Sequence, residues 1–368
     1  MLKKILIIDD SALMRRAISD IIHTEPDKYI TETAENGEIA ARLLEEQNHY
    51  DLILLDINMP KMNGIRFLEF LNSRNYTVPT LIVSSIASRS TAETIRALEL
   101  GAFDFVKKPD GMRGTLAGEF KEQILAAVQC VFDSDSNVNF QARPVAAARN
   151  SRQAKEPQTK KMQAVLSPAK TGRVSRGRHM VFIASSTGGP KALQSVVPLL
   201  PANIGCPVVV VQHMPEGFTA SLAERLNEMS PCEVVEAQDG MLLEDGVVYV
   251  AKGGYQLRIY PEGKRGHRLA VCKEAARNGL RPCADIFLES LIEAEYQRIY
   301  CAILTGMGSD GTNGLIQLKK KKEVFTVGQS QKTCVVYGMP RAAAGAGLTD
   351  VVADLQEITG ILTKKLMS

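Results

Sequence analysis

Residues 4–12 read Lys4-Ile5-Leu6-Ile7-Ile8-Asp9-Asp10-Ser11-Ala12, a short apolar run that stops on two adjacent acids and then changes period. Four consecutive apolar residues suit a strand buried on both faces, and the acids then stand at its carboxyl end. The pattern returns along the chain. Strands are predicted over 4–8, 29–33, 52–55, 80–83 and 103–106, and helices over 12–23, 37–46, 64–72, 90–100 and 116–132. Parallel strands need crossovers long enough for helices, so residues 1–132 are expected to form a five-stranded parallel α/β domain covered on both faces.

Periodicity fails beyond that point. The stretch 134–179 holds ten Lys/Arg against two acids, with Phe140 its one aromatic residue. It reads as a basic flexible linker over 133–179, with a helical piece near Ala146 and a charge that could dock on an acidic surface. From Met180 the alternation resumes, and 180–368 is expected to be a doubly wound, mostly parallel α/β domain. Its strands are predicted over 181–184, 207–211, 299–304 and 324–326, and its helices over 190–199, 219–229, 284–295, 311–320 and 355–366. A β-rich insert is expected at 247–251, 256–260 and 267–272.

The composition agrees with two folded units and a tether. The 368 residues are 45% hydrophobic and 23% charged, which excludes disorder as a description of the whole chain. The formal charge is +3, but the tether carries more than that, so the folded body is net acidic and a poor nucleic-acid binder. Seven cysteines without a C-x-x-C pair argue against a disulfide framework or a zinc site. With no signal-peptide pattern and no apolar run long enough to span a bilayer, the expectation is a cytoplasmic protein with no direct membrane insertion.

Three acids fall at predicted strand ends: Asp9 and Asp10 after 4–8, and Asp56 after 52–55. One such Asp is usually a cap or turn residue. Here Ser84 and Lys108 follow two further strands, so five groups converge on one sheet edge, where ligands of open α/β sheets bind. Clustered carboxylates repel unless a hard cation neutralises them, and Mg²⁺ suits their oxygens. The set therefore reads as a phosphoryl-accepting site. Together with Asp56-Ile57-Asn58-Met59-Pro60, Gly64 and Lys108-Pro109, it resembles the receiver domain of two-component response regulators. That resemblance implies a flavodoxin-like (βα)5 fold and phosphorylation of Asp56 by a histidine kinase. It also implies Mg²⁺ held by Asp9, Asp10, Asp56 and the Asn58 carbonyl, and phosphoryl sensing by Ser84, Phe105 and Lys108. Phe105 stands where many receivers carry Tyr.

In the second domain, Phe182-Ile183-Ala184-Ser185-Ser186-Thr187-Gly188-Gly189-Pro190 runs from a buried strand into a helix. A hydroxyl there sits at the sheet edge, and the free N–H groups of the helix start suit a developing oxyanion. A plain Ser cap is the competing reading. The run Val208–Val211 delivers His213 to the same edge, where a lone His would more often be structural. Thr305-Gly306-Met307-Gly308-Ser309-Asp310-Gly311 adds Asp310, which could orient the imidazole. This stretch also fits G-x-G-x-x-G, but Asp310 would face a pyrophosphate and no acid follows about twenty residues on. Ser186, His213 and Asp310 occur in an order unlike that of α/β-hydrolases, and Ser186 is not in G-x-S-x-G.

The motifs Ser186–Gly189, Gln212–Thr219, Arg281–Asp285 and Thr305–Gly311, with Tyr337-Gly338-Met339-Pro340 and a receiver-like first domain, together resemble the chemotaxis protein-glutamate methylesterase family. The resemblance implies hydrolysis of glutamate γ-methyl esters on chemoreceptor helices, releasing methanol, and deamidation of receptor glutamines. It makes Ser186 the nucleophile, His213 the base, Asp310 its orienter, and Thr187, Gly188 and Met307 the active-site loops, with no cofactor at that site. The implied partners are the kinase of a chemotaxis-type system and methylated chemoreceptors. Ser185 stands where Ala is usual, leaving two candidate hydroxyls, of which the spacing favours Ser186. Cys283 stands where Ser is usual and reads as a small buried hydrophobe; Gln331 stands where an acid is usual. Three other readings remain: the same architecture acting on a non-chemotaxis receptor, a phosphorylation-controlled binding scaffold, and a transcriptional regulator, the last disfavoured by the α/β second domain. The fused architecture further suggests that the receiver covers the Ser186 edge until Asp56 is phosphorylated.

Overall fold

The structure, a computed structural model, describes residues 2–47, 49–85, 88–109, 118–132, 173–174, 179–263 and 266–367. The basic linker and the helical piece expected near Ala146 lie outside the described residues, apart from 173–174 and 179.

The first half alternates β1 (Lys3–Ile8), α1 (Ala12–Ile22), β2 (Tyr29–Ala34), α2 (Gly37–Gln47), β3 (Leu52–Leu55), α3 (Gly64–Ser73), β4 (Thr80–Ser84), α4 (Ser88–Glu99), β5 (Asp104–Lys107) and α5 (Gly118–Phe132). The strands form one parallel sheet in the order β2-β1-β3-β4-β5. Ile5 to Ile8 and Leu52 to Leu55 are buried throughout, as expected of strands sandwiched between helical layers. Register then places the chemistry. Ile8 pairs with Leu55, and the Asp56 N–H donates to the Ile8 carbonyl, so Asp9 and Asp56 emerge side by side. Ser84 pairs with Lys107, which sets Lys108 on the same edge.

The second half contains β6 (Arg173–Val174), β7 (His179–Ser185), α6 (Gly189–Val196), β8 (Val208–Gln212), α7 (Phe218–Met229), β9 (Glu233–Glu236), β10 (Glu244–Asp245), β11 (Val247–Val250), β12 (Gln256–Pro261), β13 (His267–Cys272), α8 (Ala284–Ser290), β14 (Arg298–Ile303), α9 (Thr312–Lys319), β15 (Glu323–Gln329), α10 (Met339–Gly345), β16 (Val351–Ala353) and α11 (Leu355–Met367). Seven strands form a parallel sheet ordered β16-β15-β14-β7-β8-β11-β9. The chain leaves β7 towards β8 on one side and returns beyond it at β14 on the other. The gap between β7 and β14 is therefore the switch point at which open α/β sheets bind ligands.

Some expectations are corrected here. Residues 247–250 do not belong to an insert: β11 is buried on both faces, parallel to β8 and β9 inside the main sheet. The insert reduces to the antiparallel hairpin β12–β13. The helix expected over 284–295 stops at Ser290, and the one expected over 190–199 closes at Val196 into a 3-10 turn, Val197–Leu199. Strands β9 and β16 and helix α10 were not anticipated. No helix among the described residues is long and apolar enough to cross a membrane.

The two halves pack through α4 and the end of β5 against α6 and α7. The Phe105 and Phe218 rings lie 4.5 Å apart between centroids, Thr91 Oγ1 meets Ser221 Oγ at 2.8 Å, and Arg225 pairs with Glu99. One buried apolar cluster includes residues of both halves, among them Ile57, Phe105, Val210 and Phe218.

Candidate active site

The final register pair between β7 and β8 joins Ser185 to Gln212, so the next residues, Ser186 and His213, leave the sheet side by side. Ser186 N–H donates to the Thr305 carbonyl at 3.0 Å, which ties the serine to the loop after β14. Asp310, on that loop, accepts from His213 Nε2 at 2.7 Å. The structure thus places Ser186, His213 and Asp310 on one edge and joins two of them directly. No hydrogen bond links Ser186 Oγ to the imidazole among the described residues.

Asp310 is ringed by donors. The backbone N–H groups of Ala284, Asp285 and Gly311 point at its oxygens at 2.6, 3.0 and 3.0 Å, and Cys283 Sγ approaches at 3.1 Å. Burial alone would raise its pKa, but the bond to and charge of His213, with these N–H groups, bring it down to about 2. A carboxylate that stays ionised can hold an imidazole in one tautomer and stabilise its charged form. Cys283 is therefore more than the small hydrophobe expected, because its S–H faces Asp310. Burial and the Asp310 charge push that thiol up to about 12, which removes it as a thiolate nucleophile. Cys283, Asp285 and Asp310 lie close enough to share an ion, yet the N–H groups aimed at Asp310, and that of Gly314 aimed at Asp285 at 2.6 Å, suit negative charge rather than a cation.

Two hydroxyls competed for the nucleophile, and their surroundings differ. Ser185 is fully buried and donates to Gln212 Oε1 at 2.7 Å, whereas Ser186 is partly exposed. The N–H groups of Thr187 and Met307 have no acceptor among the described residues, and Met307 is 40% exposed at the rim. Gly188, in the left-handed region at φ 75°, precedes α6. Two buried glutamines were missed by sequence reasoning. Gln212 bridges the serine and histidine loops, and Gln329 Oε1 accepts from Thr305 N–H at 2.8 Å. Each is the polar residue that closes an otherwise apolar strand end, the one sequence signal that could have found it.

On the other sheet, Asp9, Asp10 and Asp56 bring one carboxylate oxygen each within 4.8 Å of one another. Lys108 Nζ lies 2.8 Å from Asp9 and 2.7 Å from Asp56, whose other oxygen accepts from the Ile57 N–H at 2.8 Å. Burial and the neighbouring Asp9 push the Asp56 pKa up, with Lys108 pulling the other way. An all-oxygen set of this kind fits a hard divalent cation. Ser84 Oγ accepts from Thr94 Oγ1 of α4 at 3.1 Å, and Phe105 is buried against the second half. Gly64 is required because a Cβ would strike the backbone of Asp56 and Ile57.

The two sites are not independent surfaces. The carboxylate of Asp104 on β5 lies beside Thr187, one residue beyond Ser186. Val335, packed against the apolar core of the first half, closes over Gly188.

Residues 181–362 match the CheB methylesterase family, and residues 5–116 match the response regulator receiver domain. The protein-glutamate methylesterase/protein-glutamine glutaminase 1 of Syntrophomonas wolfei is 38% identical over 360 residues, 97% of either chain. The Bacillus subtilis protein-glutamate methylesterase/protein-glutamine glutaminase is 38% identical over 361 residues, 98% of this chain and 97% of that one. Among solved structures, the Thermotoga maritima CheB methylesterase catalytic domain is 38% identical, covering 52% of this chain and all of that one, with a TM-score of 0.49.

Proposed function

The chain belongs to the CheB methylesterase family, and from that premise we propose that it hydrolyses glutamate γ-methyl esters on chemoreceptor helices with Ser186, His213 and Asp310, under control of phosphorylation at Asp56. It is a hydrolase with a receiver domain. The observation that carries the catalytic part is the ionised, N–H-ringed Asp310 bonded to His213 beside the Ser186 loop.

In this reading Asp310 occupies Nε2, which leaves Nδ1 to take the Ser186 proton as Oγ attacks the ester carbonyl. Contacts between nucleophile and base are often long without substrate and tighten when it binds. The unpaired N–H groups of Thr187 and Met307 supply donors for the tetrahedral oxyanion. The imidazolium then protonates the departing methoxide, methanol leaves, and water attacks the acyl-serine by the same route in reverse. A receptor glutamine carboxamide would follow the same course with ammonia leaving.

Regulation follows from what lies over Thr187. Asp104 of β5 lies beside Thr187, and the neighbouring Phe105 packs on Phe218, so a docked receiver stands where a receptor helix would have to enter. Asp9, Asp10 and Asp56, with the Asn58 carbonyl, would hold Mg²⁺, which supplies charge neutralisation when bound. Phosphate on Asp56 would draw Lys108 and the Ser84 hydroxyl, and Ser84 is bonded to Thr94 of the docked helix α4. About hundredfold activation requires a differential of only ~2.7 kcal/mol between docked and open forms.

The test is methanol release from methylated receptor membranes, with and without Mg²⁺ and a small-molecule phosphodonor. Turnover that rises with phosphodonor and vanishes in Ser186→Ala is expected. Turnover that survives Ser186→Ala but is lost in Ser185→Ala would reassign the nucleophile.

A further inference from the structure

We propose that Gln212 is a positioning residue that sets the spacing of the serine and histidine loops, and that Ser185 holds its amide in the one orientation that can do so. The proposal rests on the triad reading above. The sheet ladder between β7 and β8 ends just where the chemistry begins. Its last bond runs from the His213 N–H to the Ser185 carbonyl at 3.1 Å. Beyond it, no main-chain bond among the described residues joins the two loops directly, and they are linked only through the loop after β14, by Thr305 to Ser186 and by Asp310 to His213.

The Gln212 side chain supplies the missing rung. Its Nε2 donates to the Ser186 carbonyl at 3.0 Å and to the His213 carbonyl at 3.0 Å. Carbonyls only accept, so the amide NH₂ has to face them and Oε1 has to face the other way. Ser185 Oγ waits there at 2.7 Å and must donate. Gln212 is 1% exposed and Ser185 fully buried, so water cannot stand in for either partner. A flipped amide would set Oε1 against two carbonyls and leave a buried acceptor unpaired, the costly failure of a buried polar network. The fit is close on the far side too, since any Cβ at Gly189 would collide with Oε1.

The hydroxyl at 185 thus has a use that is not nucleophilic. It keys Gln212, and Gln212 fixes the backbone from which both reacting side chains project. A displacement near 1 Å between reacting groups costs about 10²-fold in rate, and it acts on kcat rather than on substrate binding.

The test uses the full chain with phosphodonor and Mg²⁺, measuring kcat and KM for methanol release together with the thermal midpoint. Gln212→Met keeps length and volume but loses both donors, and is expected to lower kcat by about 10²-fold with KM within about twofold. Ser185→Ala should lower kcat about five- to tenfold, and the double variant should be no slower than Gln212→Met alone. A Gln212→Met enzyme with kcat within about threefold of the parent overturns the proposal, as does a double variant whose losses multiply. If Gln212→Met does not fold, Ser185→Ala decides alone, and an unchanged kcat there sinks the idea. Ser186→Ala in parallel separates the two levels: activity surviving it defeats the triad reading itself, whereas its loss beside an active Gln212→Met defeats only this inference.

Discussion

Asp56 and Asp310 are both carboxylates at the carboxyl edge of a parallel sheet, and their surroundings have opposite effects on them. Asp56 shares its pocket with Asp9 and Asp10 and has one lysine, so burial and like charge raise its pKa despite Lys108. Asp310 meets three backbone N–H groups, a thiol and an imidazole, and is driven down to about 2. The fold delivers a carboxylate to the same kind of place twice, and the donors around it decide its use. Crowded by acids, it suits a reactive oxygen that needs a cation; ringed by N–H groups, it suits a fixed charge that never reacts.

That contrast breaks most severely at Asp310. Asp310→Asn should reverse the tautomer it imposes on His213 and reduce kcat by about 10³–10⁴-fold, while a phosphodonor still stimulates the residue of activity. Methanol release at saturating substrate measures it, and a loss below about tenfold would mean the imidazole is oriented by something else. Asp56→Asn should have the converse signature, with stimulation by phosphodonor and Mg²⁺, about hundredfold at most, disappearing. Stimulation that persists would place the phosphoryl group elsewhere.

The smallest effect concerns a third carboxylate, Asp104, which burial beside Thr187 raises to about 6. Its pKa when docked exceeds its ordinary value, so the docked form binds the proton more tightly and docking strengthens as pH falls from about 7 to 5. Activity of the parent should therefore fall more steeply over that window than activity of Asp104→Asn, by about threefold to tenfold. A ratio of the two that stays flat across the window would show that this carboxylate does not titrate with docking.

Much of this was legible in the residues. Ile5–Ile8 and Leu52–Leu55 announce buried strands, and their trailing acids announce the edge. The failures have physical causes. Val247–Val250 stands among insert-like strands in the sequence, yet its unbroken apolar run suits the central parallel strand it forms. Glu233–Glu236 and Val351–Ala353 are short edge strands whose polar or sparse sequence carries little periodic signal. Met339-Pro340 carries a helix-start sign, proline in the first turn of α10, with too short an apolar pattern after it to mark a helix by periodicity. What no local pattern encodes is reach: that the Gln212 amide spans two loops, that Cys283 faces Asp310, or that Phe105 meets Phe218 across a gap of more than a hundred residues.

The Phe105–Phe218 contact also bears on how a signal would end. Parting the halves wets two large rings, at roughly 1.5–3 kcal/mol for each that was fully covered. That cost acts at every moment the molecule is open, like a spring wound by water. Reclosure then requires no inhibitor, and the lifetime of the acyl phosphate alone would time the pulse.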